Sequence, residues 1–143
     1  MFAGTRPPAP PTFRWTPQDT LTWCIIAFFA TLTRFIGLSS ATSSGTPVFD
    51  EKHYVPQAWD MVRSWINPLT GGIESNPGFG LVVHPPLAKQ ITALGEMVFG
   101  YSPLGWRVMV ALFGTLTVLG IMALTRRLSG STVVTFIAGI IAT

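Results

Sequence analysis

Charge is what this sequence has least of. Lysine, arginine, aspartate and glutamate make up 10% of its 143 residues, where soluble domains carry about a quarter. Nine basic and six acidic side chains cannot coat a globule of this size with polar surface, so water on all sides is excluded and a bilayer is the indicated solvent. Cysteine is nearly absent: Cys24 stands alone inside an apolar run and can form no internal disulfide. No glycine period exists, so 14 Gly and 12 Pro do not make a collagen, and the apolar runs are too long for a disordered chain. The net charge of +3 comes from scattered bases, without the Lys/Arg stripe and interleaved aromatics of a nucleic-acid binder, so no nucleic-acid partner is expected. Paired thiolates and His-x-x-His or Glu-x-x-His spacings are missing too, and His53 and His84 lie far apart. No metal site is expected. Neither Asn67 nor Asn76 lies in an Asn-x-Ser/Thr sequon.

Apolar runs are what the chain has instead. Leu21 to Leu38 is long enough to cross ~30 Å of hydrocarbon as a helix. About twenty Pro-rich residues precede it, unlike the short basic start of a secretory signal. Val108 to Thr125 is uncharged, follows Trp106-Arg107 and stops at Arg126-Arg127. A third run begins near Val133 and is still apolar at Ala142, so the sequence reads as an N-terminal piece of a longer polytopic protein. The expected organisation is a leader over 1–19, spans over 20–40 and 106–125, an intervening loop over 41–105, a turn over 126–131 and the start of a third span over 132–143. Arg6 and Arg14 in the leader and Arg126-Arg127 in the turn assign both to the cytoplasm of a plasma-membrane protein. The loop, with three bases against five acids, faces outward.

Five of the six acids and both histidines lie in that loop. A connection of this length is functional or structured. Tyr54, Ala58, Met61, Val62 and Trp65 recur at helical spacing, as do Leu87, Ile91, Leu94 and Val98. Each stripe predicts an amphipathic helix lying with its apolar side on the membrane or packed on the spans. Asn67-Pro68 through Gly80 is turn chemistry between them.

Three features carry chemistry. Asp50-Glu51 follow the first span: a carboxylate in a partly dry crevice at the lipid surface can take a proton from an alcohol or hold a cation, and equally two acids can complement a helix N-terminus. In His84-Pro85-Pro86-Leu87-Ala88-Lys89 the prolines suit a helix's first turn, which leaves an imidazole and an ammonium near an N-terminus fit for phosphate, or simply begins a surface helix. Arg34 inside the first run and Arg107 opening the second are intramembrane or border arginines, costly and therefore candidates for function, with snorkelling as the other reading. Arg126 and Arg127 are read as topology signals alone.

Taken in order, Phe49-Asp50-Glu51-Lys52-His53-Tyr54, then Gly80-Leu-Val-Val-His84-Pro85-Pro86-Leu87-Ala88-Lys89, then Gly105-Trp106-Arg107 resemble the protein O-mannosyltransferase family, its actinobacterial branch in particular. The match runs from about Arg34 to Arg107, half the chain. The resemblance implies an all-α polytopic membrane protein, the N-terminal part of a GT-C-type bundle for lipid-linked sugars, whose long outer loop carries two amphipathic surface helices. It implies inverting transfer of mannose from polyprenyl-phosphate-mannose to Ser or Thr hydroxyls of proteins crossing the membrane. By motif position Asp50 would be the catalytic base and Glu51 its neighbour, with Arg34, Arg107, His84 and Lys89 toward the donor phosphate. The partners implied are the lipid-linked donor, the acceptor polypeptide and the translocation machinery; no cofactor is implied, and metal dependence stays open. Ala88 stands where the family commonly has Gly, and its methyl is expected to crowd a helix contact.

The chemistry is consistent with those roles. An alcohol needs a base within about 3 Å of its proton while it attacks. A departing lipid phosphate gathers negative charge that arginine or lysine stabilises most in the transition state. Other sugars and acceptors such as lipid or glycan would need the same groups, and a non-catalytic assembly or transport subunit would use the loop for docking. The piece alone is expected to be inactive.

Overall fold

The computed structural model describes residues 14–40, 47–63 and 87–143. These form five helices and no strand: α1 (Pro17–Phe35), α2 (Glu51–Arg63), α3 (Leu87–Phe99), α4 (Pro103–Ser129) and α5 (Thr132–Ala142). By length and composition, one helix among the described residues, α4, can cross a membrane. It is longer than the apolar run suggested. Ser102 caps its start by accepting from Gly105 N–H at 3.1 Å, with Pro103 in the first turn, and it runs past Arg126-Arg127 to Gly130, whose φ of 65° closes it. The charges expected to terminate this helix instead form its last turn. Between α4 and α5 only Gly130 and Ser131 remain outside helix, and Ser131 caps α5.

The first helix starts on a capping box. Thr16 Oγ1 accepts from Asp19 N–H at 3.2 Å, and Asp19 Oδ2 accepts from Thr16 N–H at 2.9 Å. The helix ends at Phe35, so the expected span to residue 40 finishes in turns. Ile26 and Ala30 of α1 pack with Val118 and Met122 of α4, with Trp23, Leu119, Phe136 and Ala142 around them. Gly139 of α5 lets Ile26 and Met122 meet its backbone: an added Cβ would sit 3.0 Å from each side chain.

One acid fastens the end of this three-helix unit. Asp19 is fully buried. It accepts from Arg126 Nε at 2.7 Å and Nη2 at 3.0 Å, and from Thr132 Oγ1 at 2.7 Å. Arg126 Nη2 also donates to the Arg14 carbonyl at 3.2 Å. Arg126, assigned above to topology alone, is thus a buried structural side chain that joins α4 to α1.

The helices α2 and α3 lie side by side in the same direction, since Tyr54 meets Lys89, Ala58 packs with Ala93, and Asp60 faces Glu96. Residues 64–86 connect the two helices in sequence. That segment, with His84, lies outside the described residues. The buried side of α3 is not its apolar stripe. Leu87, Leu94 and Val98 are exposed, whereas Lys89, Thr92, Ala93, Gly95 and Glu96 are buried. Small residues explain it: a Cβ on Gly95 would collide with the Gly105 carbonyl, so α3 and α4 cross backbone against backbone. The side of α3 that makes this contact must be the side carrying Gly95, whatever its polarity.

Candidate active site

A short, strained turn sets the acid pair. Phe49 holds a left-handed φ of 47°, which costs a bulky residue roughly 1–2 kcal/mol, and Glu51 N–H then donates to the Val48 carbonyl at 2.9 Å. Glu51 Oε2 in turn accepts from Val48 N–H at 3.1 Å. The turn points Asp50 and Glu51 at the start of α4.

There Arg107 receives Glu51 on two parallel bonds, Nε to Oε1 at 2.7 Å and Nη2 to Oε2 at 2.9 Å. Its Nη1 donates to the carbonyls of Ser40 at 2.9 Å and Leu38 at 3.4 Å. One guanidinium, carried by α4, therefore binds the exit of α1 and the start of α2. Four of its five N–H groups are committed and one remains. The Arg107 hydrogen bonds hold the Glu51 carboxyl below the usual carboxylate range, against burial, with Val48 N–H adding to the effect. Glu51 is thus a fixed anion paired with a fixed cation.

Asp50 differs from its neighbour. It is exposed, and among the described residues it makes no ion pair or side-chain hydrogen bond. It opens onto a cavity of ≈ 620 Å³ together with Glu51, Trp106 and Arg107. Tyr54 and Val55 of α2 form one wall and Ala88, Ile91 and Thr92 of α3 another. Below the polar mouth the lining becomes apolar along one face of α4, through Val110, Phe113 and Gly114 to Thr117. An amphiphile with a charged head and an oily tail matches that gradient. Ala88 does not crowd a helix contact as expected; its side chain is exposed and borders the cavity.

The other expected site residues are nearby without lining the cavity. Arg34 stands behind the α4 wall, where a Cβ on Gly114 would come 3.0 Å from Arg34 Nε. It donates to the carbonyls of Ala30 at 3.3 Å and Ala142 at 3.1 Å. Lys89 is buried at 3% exposure, with its ammonium 5.5 Å from the centre of the Tyr54 ring. His84 lies outside the described residues. No group of three or more His, Cys, Asp or Glu is assembled among the described residues.

Two groups escaped the sequence reading. Tyr54 is visible in the α2 stripe, but nothing in its spacing tells that it faces a cavity. Glu96 is 1% exposed and both its oxygens lack a hydrogen-bond partner. Burial, helped by the negative charge of Asp60, pushes its carboxyl up to about 8. It therefore carries its proton at neutral pH, under the aromatic group in which Tyr101 contacts Trp59 and Trp106 at 5.5 and 5.4 Å. A carboxyl raised on folding makes the folded state the better proton binder, so stability is fullest below the unfolded value near 4.5, declines as pH rises and levels off above about 8. Glu96→Gln should remove that decline. Amide hydrogen exchange in α3, followed from pH 5 to 9, should quicken relative to the intrinsic rate in the parent protein and stay flat in the variant; parallel profiles would contradict this.

No family model and no solved structure matches the chain. Among curated proteins it matches actinobacterial mannosyltransferases. One from Corynebacterium glutamicum is 80% identical over 142 residues, 99% of this chain and 27% of the relative. Others from Mycobacterium tuberculosis and Mycolicibacterium smegmatis are 46% and 50% identical, over 94% and 82% of this chain and 25% and 22% of their own length. Over the segment it spans, the chain is similar to these relatives, each named polyprenol-phosphate-mannose–protein mannosyltransferase. It covers about a quarter of the length of these curated relatives.

Proposed function

We propose that this chain is the donor-side part of an inverting protein O-mannosyltransferase, which moves mannose from polyprenyl-phosphate-mannose to Ser or Thr hydroxyls of polypeptides crossing the membrane. The observation that carries the reading is the cavity itself: an uncommitted carboxylate, Asp50, at a mouth held open by the Glu51–Arg107 pair, above an apolar trough descending α4. In the reaction Asp50 accepts the hydroxyl proton as the acceptor oxygen attacks the anomeric carbon from the face opposite the phosphate. The bond from that carbon to the phosphate oxygen breaks, and polyprenyl phosphate leaves with the electron pair. The remaining Arg107 N–H meets the charge that gathers on the phosphate. The lipid tail lies along Val110, Phe113 and Thr117, which spares it from water.

Glu51 serves by holding Arg107, and so the mouth, in place. Arg34 and Lys89 add positive charge from behind the walls. His84 belongs to the same motif and is assigned to the donor side. In this reading α1 crosses the bilayer beside α4 and the acid pair lies outside, with the apolar stripe of α3 resting on the lipid. The acceptor arrives from the translocation machinery. Mass spectrometry of secreted proteins, with the gene intact and disrupted, tests it. Hexose on Ser and Thr should vanish on disruption and return with the intact gene; unchanged hexosylation would overturn the assignment.

A further inference from the structure

We infer that Tyr54 is a positioning residue of this site, and that the ammonium of Lys89 holds it there through the face of its ring. The inference rests on the reading of Asp50 as base and goes beyond it by assigning Tyr54 and by changing the role of Lys89.

Lys89 poses the problem. It is 3% exposed, and among the described residues no carboxylate pairs with it. A lysine this little exposed, without a counter-charge, is costly. What the structure offers it is the Tyr54 ring, with Nζ 5.5 Å from the centroid, inside the roughly 6 Å over which a cation is drawn to an aromatic face. The attraction is strongest where water is scarce, and Lys89 is 3% exposed. Lys89 does not line the cavity and Tyr54 does, so the cation reaches the site through the ring.

The placement of the pair gives the contact its consequence. Tyr54 lies one helical turn after Asp50, its N–H bonded to the Asp50 carbonyl at 3.1 Å. Lys89 lies in the first turn of α3, on the helix whose Gly95 is set against α4. The contact therefore ties the first turn of α2 to the α3–α4 unit at the level of the acid pair, whereas Ala58, Met61 and Ala93 tie the helices further along. Glu51 on Arg107 fixes the start of α2 from another side. With Arg107 on one side and Lys89 on the other, the turn presenting Asp50 cannot pivot.

The test uses the full-length enzyme in its membrane, with position 54 changed to phenylalanine and to its mono-, di- and trifluoro derivatives. Fluorine drains the negative face of the ring while its shape stays nearly constant. Relative to Tyr54→Phe, kcat should fall in steps by a total of about 2- to 30-fold, with the donor KM nearly constant. In a Lys89→Met background the series should be flat, and Lys89→Arg should restore the slope. Equal kcat along the series, or the same slope without Lys89, would overturn the inference. So would an effect confined to donor KM, which would put Lys89 on the phosphate itself. Hydrogen exchange at the α2 amides, read without substrate, should rise along the series. That readout stands even if mannosyl transfer is not the reaction, which would show separately as an absence of transfer by the unaltered enzyme.

Discussion

Asp50→Asn in the full-length protein should lower the proposed mannosyl transfer by about 10²–10⁴-fold, the range that a positioned general base contributes, while leaving expression and folding intact. The reason for separating the two effects is local. Asp50 is exposed and has no side-chain partner among the described residues, so its removal breaks no bond and opens no void. Glu51, one residue on, behaves oppositely: its loss would leave Arg107 with an uncompensated charge and release the turn at residues 48–50. Transfer assays in membranes normalised to protein level make the measurement. Activity in Asp50→Asn within a few-fold of the parent would remove Asp50 as base.

The second large effect belongs to the opposite end of α1. Asp19→Ala should destabilise the protein by about 3–5 kcal/mol, the cost of breaking a buried ion pair by removing one charge. Arg126, at 8% side-chain exposure, would lose its carboxylate, and the Thr132 hydroxyl and the Thr16 cap would lose their acceptor. Replacing both charged groups, Asp19→Leu with Arg126→Met, should recover most of that loss, because the desolvation penalty goes with the charges. Thermal unfolding of the full-length protein in detergent would compare the three variants. A loss confined to a few tenths of a kcal/mol in Asp19→Ala would mean that the pair is solvated.

How much of this was legible beforehand differs by element. Both loop helices were readable, because Tyr54, Ala58, Met61 and Val62 and then Leu87, Ile91, Leu94 and Val98 recur at helical spacing. Which face of each is buried was readable for α2 only. On α3 the apolar stripe points outward, since the crossing with α4 is fixed by Gly95 and Gly105, and close backbone approach selects small residues over oily ones. Hydropathy cannot report that. Asp50, Glu51 and Arg107 stood out in the sequence as candidates, and the fold brings them to one cavity mouth. Arg34 and Lys89 were named for a role at that mouth and lie behind its walls instead.

The sequence by itself determined the solvent, the helical class and the acids around which a reaction can be built. Those follow from properties each residue carries alone: its transfer free energy, its periodic position and its ionisable group. Only the tertiary structure decided the pairings. Glu51 closes on Arg107 and Asp19 on Arg126 across more than fifty and one hundred residues respectively. A lysine meets a tyrosine ring, and a glutamate keeps its proton. Each of these depends on which helices touch and how closely, a matter of backbone shape and excluded volume that no single position encodes.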